Sequence, residues 1–223
     1  MEETKRLNVY EFDNVNKYLN NVTFVLGGRG SGKTNIIFYM LKKLKPSIVV
    51  IFDELIYSPY KKIVNEMFIH QYLTDETLEC MCGLREKVVE MSGQKVDQHL
   101  FIVIENTTRV WEKTPLLERL FALPNTTIVI SATKLVHVSN ILDKKYNYIF
   151  TDQKRCIEYC KLIKQEIPAL GKAYSGNSKM ELCLEERSSL FSNIPKELCE
   201  SVFLSIVDDD IESHWTKYIV GRD

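Results

Sequence analysis

The chain has 223 residues, 29 of them basic and 30 acidic, with 45% hydrophobic and 26% charged side chains. A chain of this length suits one α/β domain, or one with a small appendage, and buries roughly 70% of its unfolded surface. The near-zero balance excludes a global basic field that would pull in nucleic acid, so only a local patch or a ring of subunits could supply that charge.

Residues 1–20 are polar and mixed, and predict an irregular lead-in with a short helical turn. The start, MEETKRLNVYEF, has no apolar core region of the kind that marks a secretory leader. Val22 to Leu26 is a short apolar, β-branched run and predicts a strand. Glycines follow, then a helix from about Lys33 to Leu44, whose Ile36, Ile37, Met40, Leu41 and Leu44 share one face. Pro46 closes it. Ser47 to Phe52 (SIVVIF) predicts a second strand, apolar throughout, as in a parallel sheet covered on both faces.

Residues 57–99 read as mostly helical and polar, with a breaker at Ser92-Gly93. Leu100 to Ile104 (LFIVI) is a third buried strand, Pro115 to Leu123 a short helix, and Thr127 to Ser131 (TIVIS) a fourth strand. A helical turn at 137–143, a fifth strand at Tyr146 to Phe150 and a helix from Asp152 to Ile163 complete the regular part. Strands alternating with helices predict a three-layer α/β fold with a mainly parallel sheet. Past Ile167-Pro168 the regularity fades. The division expected is a lead-in at 1–20, a nucleotide-binding domain at 21–167 and a small C-terminal extension at 168–223. Within the extension, KELCESVFLSIV fits a helix or a strand.

Six cysteines occur, at 80, 82, 156, 160, 183 and 199. Cys80-x-Cys82 and Cys156-xxx-Cys160 lack the paired spacing of zinc sites. With no leader, the cysteines read as reduced intracellular thiols. No apolar run approaches the ~20 residues of a membrane helix. The expectation is a soluble intracellular chain without a membrane partner.

Gly27-Gly28-Arg29-Gly30-Ser31-Gly32-Lys33-Thr34 matches GxxxxGK[ST] at every fixed position. Each residue type has a task. The glycines let backbone N–H groups approach the phosphates, Lys33 reaches the β- and γ-phosphates, and Thr34 offers a hydroxyl to Mg²⁺. The helix that starts there directs its positive end at the same anion. With a strand before it and an amphipathic helix after it, this phosphate loop (Walker A) predicts a nucleoside triphosphate with Mg²⁺ as ligands, the base being open at this point. Gly27, Gly28, Arg29, Gly30, Ser31, Gly32, Lys33, Thr34 and Asn35 are the expected nucleotide contacts.

Turnover needs a carboxylate at the end of a second strand. Asp53, after SIVVIF, and Glu105, after LFIVI, both qualify by type. The strand directly after the phosphate-loop helix usually lies one place too far out, so Glu105 is the expected metal carboxylate and Asp53 the fallback. Asp53-Glu54 otherwise reads as a solvated strand end or a helix cap. Ser131 and Thr133, at the end of the fourth strand, are the hydroxyls placed to sense a γ-phosphate, and Thr133 is counted with Lys33 and Glu105 as catalytic. Arg109, Arg119 and Arg155 could act in trans on a neighbouring site, and otherwise read as surface arginines.

The order of these motifs resembles one family. The loop is followed by a strand leading to YSPY, a polar helical stretch, LFIVIEN, a short helix, NTTIVISAT and HVSNILDKKYNYIF. Over roughly residues 20–165 this is similar to the DNA-packaging ATPases of poxviruses and related large DNA viruses, a branch of the FtsK/HerA translocases. The resemblance implies an ATP-driven motor on double-stranded DNA, a homo-oligomeric ring, capsid or portal partners, and a place at cytoplasmic assembly sites or in the virion. Carried over, Glu105 takes the metal and Asn106 stands where a second carboxylate is usual. An amide cannot accept a proton from water, although it can orient one. Thr133 stands where the family tends to carry Gln, and Leu123-Pro124 where Arg-His often precedes the strand. These departures keep open a nucleotide-gated interaction protein with weak hydrolysis. A small-substrate phosphotransferase is the third reading, disfavoured because its arginines are scattered rather than gathered in a lid.

Overall fold

The computed structural model describes residues 9–12, 14–55, 58–92, 98–105, 109–143, 145–151, 201–207 and 210–216. Strands β1 (Val9–Glu11), β2 (Val22–Leu26), β3 (Ile48–Asp53), β4 (Ile69–His70), β5 (Leu100–Glu105), β6 (Thr126–Ala132), β7 (Asn147–Phe150), β8 (Ser201–Val207) and β9 (Asp210–Thr216) form one sheet. Its order is β1-β9-β8-β7-β2-β6-β5-β3-β4. The six strands from β7 to β4 run parallel, β8 is antiparallel to β7 and β9, and β1 runs parallel to β9.

Among the described residues three α-helices cover the sheet: α1 (Lys33–Leu44), α2 (Asp75–Met91) and α3 (Pro115–Phe121). Alternate strand residues point to opposite faces. On one face Ile51, Phe101, Val103, Val129, Val25 and Ile149 meet Ile36, Ile37 and Met40 of α1. On the other, Phe52, Ile102, Ile104, Ile130 and Phe24 meet Leu78 and Cys82 of α2 and Leu117 and Leu120 of α3. Helix, sheet and helix thus form the three layers expected. Every residue of β5 and β6 is buried, which explains the apolar stretches LFIVI and IVI within them.

The helix ends follow their sequences. Thr74 caps α2 by accepting from the Thr77 amide at 3.2 Å, with Asp75 and Glu76 in the first turn. Thr114 caps α3 in the same way, with Pro115 as its first residue. Two stretches differ from expectation. Residues 58–74 are not helical: Pro59–Lys62 and Glu66–Phe68 are 3-10 turns, capped by Ser58 and Asn65, and lead into β4. The α-helix begins only at the Thr74 cap. The ambiguous run in the extension contains β8, which pairs with β7, so that extension and lead-in both add strands to the same sheet. The helix expected at 152–163 lies outside the described residues. Among the described residues no helix is long and apolar enough to cross a membrane.

The end of the sheet opposite the phosphate loop is tied to α2 by one buried side chain. Arg85 donates to the backbone oxygens of Gln98 (2.8 Å), Asn125 (3.0 Å) and Pro124 (3.3 Å). Asn125 and Pro124 keep second donors in the Leu100 amide and the Thr126 hydroxyl, but a buried carbonyl left short of a donor still bears part of its desolvation cost. Arg85→Met keeps much of the volume and loses all three bonds. We expect it to destabilise the chain by about 2–4 kcal/mol in denaturant unfolding, with nucleotide affinity unchanged.

Candidate functional site: the phosphate loop and the β5 carboxylate

The loop leaves the sheet at the end of β2, between β6 and β7. The Gly27 amide donates to the Ala132 carbonyl at 3.2 Å, and the Thr151 amide to the Leu26 carbonyl at 2.9 Å. In an open parallel sheet, ligands bind outside the carboxyl ends of the strands where the connections change direction. The strand order puts β2 at such a point, since the chain leaves it toward β3 on one side and returns to β7 on the other.

Two glycines show why the loop tolerates little else. Gly32, which precedes α1, has φ +92°, a left-handed conformation that side chains avoid. It offers no side-chain cap, so the first amides of the helix remain for a ligand. At Gly27, a Cβ would lie 1.7 Å from Thr151 Oγ1 and 2.6 Å from Ser31 Oγ. Those hydroxyls are 2.5 Å apart, and Ser31 also donates to the Gly28 carbonyl at 2.8 Å. Thr151, just past β7, thus packs against the base of the loop. Gly27→Ala should destabilise the fold by roughly 1–3 kcal/mol and weaken binding of a fluorescent ATP analogue. Adding Thr151→Ala removes the nearest clashing atom and should restore part of both.

Lys33 is 7% exposed, and its ammonium donates to the carbonyls of Gly27 at 2.8 Å and Gly28 at 2.9 Å. The amine therefore lies across the loop rather than in solvent. Arg29 is exposed on the outer turn with Gly30, and Asn35 is half-buried in the first turn of α1.

Thr34 and Glu105 meet. The Thr34 hydroxyl donates to Glu105 Oε1 at 2.5 Å, joining the start of α1 to the end of β5. Glu105 is 2% exposed, and its other oxygen, Oε2, accepts a short hydrogen bond from the Tyr60 hydroxyl. Burial pushes the Glu105 carboxyl above its ordinary range. The Thr34 and Tyr60 bonds pull it down, the Asp53 charge raises it, and Lys33 lowers it. Tyr60 is held well above its ordinary range by burial and then by the Glu105 charge, so its phenol stays protonated and donates.

Asp53 stands beside Glu105 in register on β3. It is not the solvated strand end expected from sequence: it is buried, and its Oδ1 accepts from the Leu55 amide at 3.1 Å. Of the two strand-end hydroxyls, Thr133 is half-buried in the bend after β6. Ser131 is 1% exposed and two residues beyond Val129, on the α1 side of the sheet; its hydroxyl has no hydrogen-bond partner among the described residues. Arg119 forms a two-pronged pair with Glu86, and Arg109 bonds Asp75 at 2.8 Å. Asn106 and Arg155 lie outside the described residues. Sequence reading missed Tyr60 and Thr151. The only trace of Tyr60 is its place in YSPY, and a threonine after a strand carries no pattern of its own.

Two oxygen donors, Thr34 and Glu105, meet at the start of α1 in the same loop as the Lys33 ammonium, a set that would suit a hard divalent cation beside a triphosphate. No protein-family profile matches the sequence, and no curated protein matches it. Among solved structures, the chain is similar to the genome packaging NTPase B204 of Sulfolobus turreted icosahedral virus 2, solved with ATPγS. The likeness has a TM-score of 0.52 at 17% identity, over 90% of this chain and 98% of that one. A looser likeness is to the pCW3 conjugation coupling protein TcpA, in a monomer form with ATPγS, with a TM-score of 0.46 at 13% identity over 96% of this chain and 66% of that one. The fold is that of an α/β P-loop NTPase.

Proposed function

We propose that the chain hydrolyses ATP with Mg²⁺ at the phosphate loop and uses the turnover to move or package double-stranded viral DNA. The observation that carries the hydrolytic half is the Thr34–Glu105 contact, which brings a second-strand carboxylate to the loop. The DNA half is supported by the order of motifs along the chain and by the shared fold with a genome packaging NTPase.

In this reading the loop amides and the start of α1 bind the β- and γ-phosphates. Lys33 exchanges the carbonyls of Gly27 and Gly28 for phosphate oxygens. Thr34 and Glu105 would hold Mg²⁺, and the ion would supply positive charge to screen the phosphates. Glu105, buried at the end of β5, would orient the attacking water, and Ser131 or Thr133 would donate to the γ-phosphate. The resemblance adds a homo-oligomeric ring, capsid or portal partners, and action at intracellular sites of viral assembly or in the virion.

The test is phosphate release by the purified chain with and without duplex DNA, alongside its mass by light scattering. Stimulation by duplex and a multimer are expected. A monomer whose rate ignores DNA would remove the motor while leaving the nucleotide site. A second reading, a nucleotide-gated interaction protein with weak hydrolysis, rests on Asn106 standing where a carboxylate is usual. Fast turnover by the unaltered chain would end it. Arg109 and Arg119 are engaged with acidic partners, which gives the phosphotransferase reading no arginine lid among the described residues.

A further inference from the structure

Tyr60 lies far in sequence from both halves of the site, yet its hydroxyl ends on the carboxylate that joins them. Its ring is fully buried and packs edge-to-face on Phe38 of α1, with centroids 4.9 Å apart. Its backbone is held on both sides. The amide donates to the Ser58 hydroxyl at 3.4 Å, and the carbonyl accepts from the amides of Ile63 and Val64, each at 2.9 Å. Pro59 fixes the turn that presents it. A side chain so constrained has little freedom to point its hydroxyl elsewhere.

Glu105 divides its two oxygens between two partners: Oε1 receives the Thr34 hydroxyl and Oε2 the Tyr60 hydroxyl. These bonds are not equivalent. Thr34 belongs to the phosphate loop, and its hydroxyl is the one that would turn to a metal when nucleotide arrives. Tyr60 belongs to a turn outside the loop and is free of that exchange. Once Thr34 turns away, the Tyr60 bond alone would keep the carboxylate plane aimed at the loop. A phenylalanine would fill the same space against Phe38, so packing alone does not account for the hydroxyl.

We propose that Tyr60 is the positioning residue of the metal site: by holding Oε2 of Glu105 it keeps Oε1 directed at the cation shared with Thr34. The proposal rests on the reading of Glu105 as a metal ligand. A partner of this kind orients a ligand without touching the metal, and its loss typically costs ~10–100-fold in metal affinity or activity.

The test compares Tyr60→Phe and Glu105→Gln with the unaltered chain, by titrating Mn²⁺ in the presence of ATPγS and following the free ion by electron paramagnetic resonance. ATPγS affinity in EDTA and thermal unfolding in EDTA are recorded alongside. Tyr60→Phe should weaken Mn²⁺ binding by ~10-fold or more, while the EDTA affinity stays within about twofold, because the loop and Lys33 are untouched. A purely structural hydroxyl would instead shift the unfolding temperature and leave the Mn²⁺ titration in place. If Tyr60→Phe binds Mn²⁺ like the unaltered chain while Glu105→Gln does not, Tyr60 has no positioning role and the site reading stands. If Glu105→Gln also binds Mn²⁺ normally, the reading of Glu105 falls and takes the proposal with it.

Discussion

Glu105→Gln should keep its hold on nucleotide and lose its turnover. The amide occupies nearly the same space and can still accept from Thr34, with the Tyr60 hydroxyl turning to accept from its NH₂. What disappears is the negative charge that a cation and a polarised water both need. We expect the hydrolysis rate to fall by ~10²–10⁴-fold, with affinity for a fluorescent ATP analogue in EDTA unchanged within a few-fold. The same substitution has a consequence for stability. Burial raises the Glu105 carboxyl above its ordinary range, so the folded chain binds this proton more readily than the unfolded chain does. The charged group therefore weighs against the fold at pH above its folded pKa, and that cost is relieved as pH falls through it. In EDTA, Glu105→Gln should unfold at a higher temperature than the unaltered chain at mildly alkaline pH. The gap should close on acidification.

Lys33→Ala should behave differently, losing affinity and rate together. The Lys33 ammonium is buried and lies within 2.9 Å of two loop carbonyls. Removing it takes away the buried ammonium that would meet the phosphates, in the ground state as well as the transition state. Loss of one such preorganised group costs ~10²–10³-fold in rate, and here weaker binding adds to it in kcat/KM. Calorimetry with ATPγS and steady-state phosphate release read the two parts separately. The contrast between the variants is the informative result: turnover alone for Glu105→Gln, binding and turnover for Lys33→Ala.

The loop was legible in the sequence because its chemistry is local. The glycines, the lysine and the threonine of the motif lie within eight consecutive residues, and the structure puts Lys33 and Thr34 in the first turn of α1. That Glu105 rather than Asp53 would reach the loop was legible through topology instead. The insertion of β6 and β5 between β2 and β3 leaves Asp53 one strand further out, and Glu105 is the carboxylate that bonds Thr34. The burial of Asp53 was not legible, because it depends on what packs over the strand end. The choice between Ser131 and Thr133 escaped the sequence for a related reason. Both are hydroxyls within three residues, and only the pleat of β6 shows that Ser131 is the buried one. Tyr60 and Thr151 reach the site from separate parts of the chain, and no periodicity marks them. The lead-in and the extension enter the sheet through β1, β8 and β9. Their strand character depends on pairing with β7 and with one another, which a short ambiguous run cannot announce.

The measurement that bears most directly on the account is phosphate release from ATP by the purified chain, in Mg²⁺ and again after EDTA. If Thr34 and Glu105 hold a divalent cation, as proposed, release should occur with Mg²⁺, stop with EDTA and return when the ion is restored. Release that continues unchanged in EDTA, or none in Mg²⁺ from a chain that binds ATP, would contradict the assignment of this site as an ATP hydrolase.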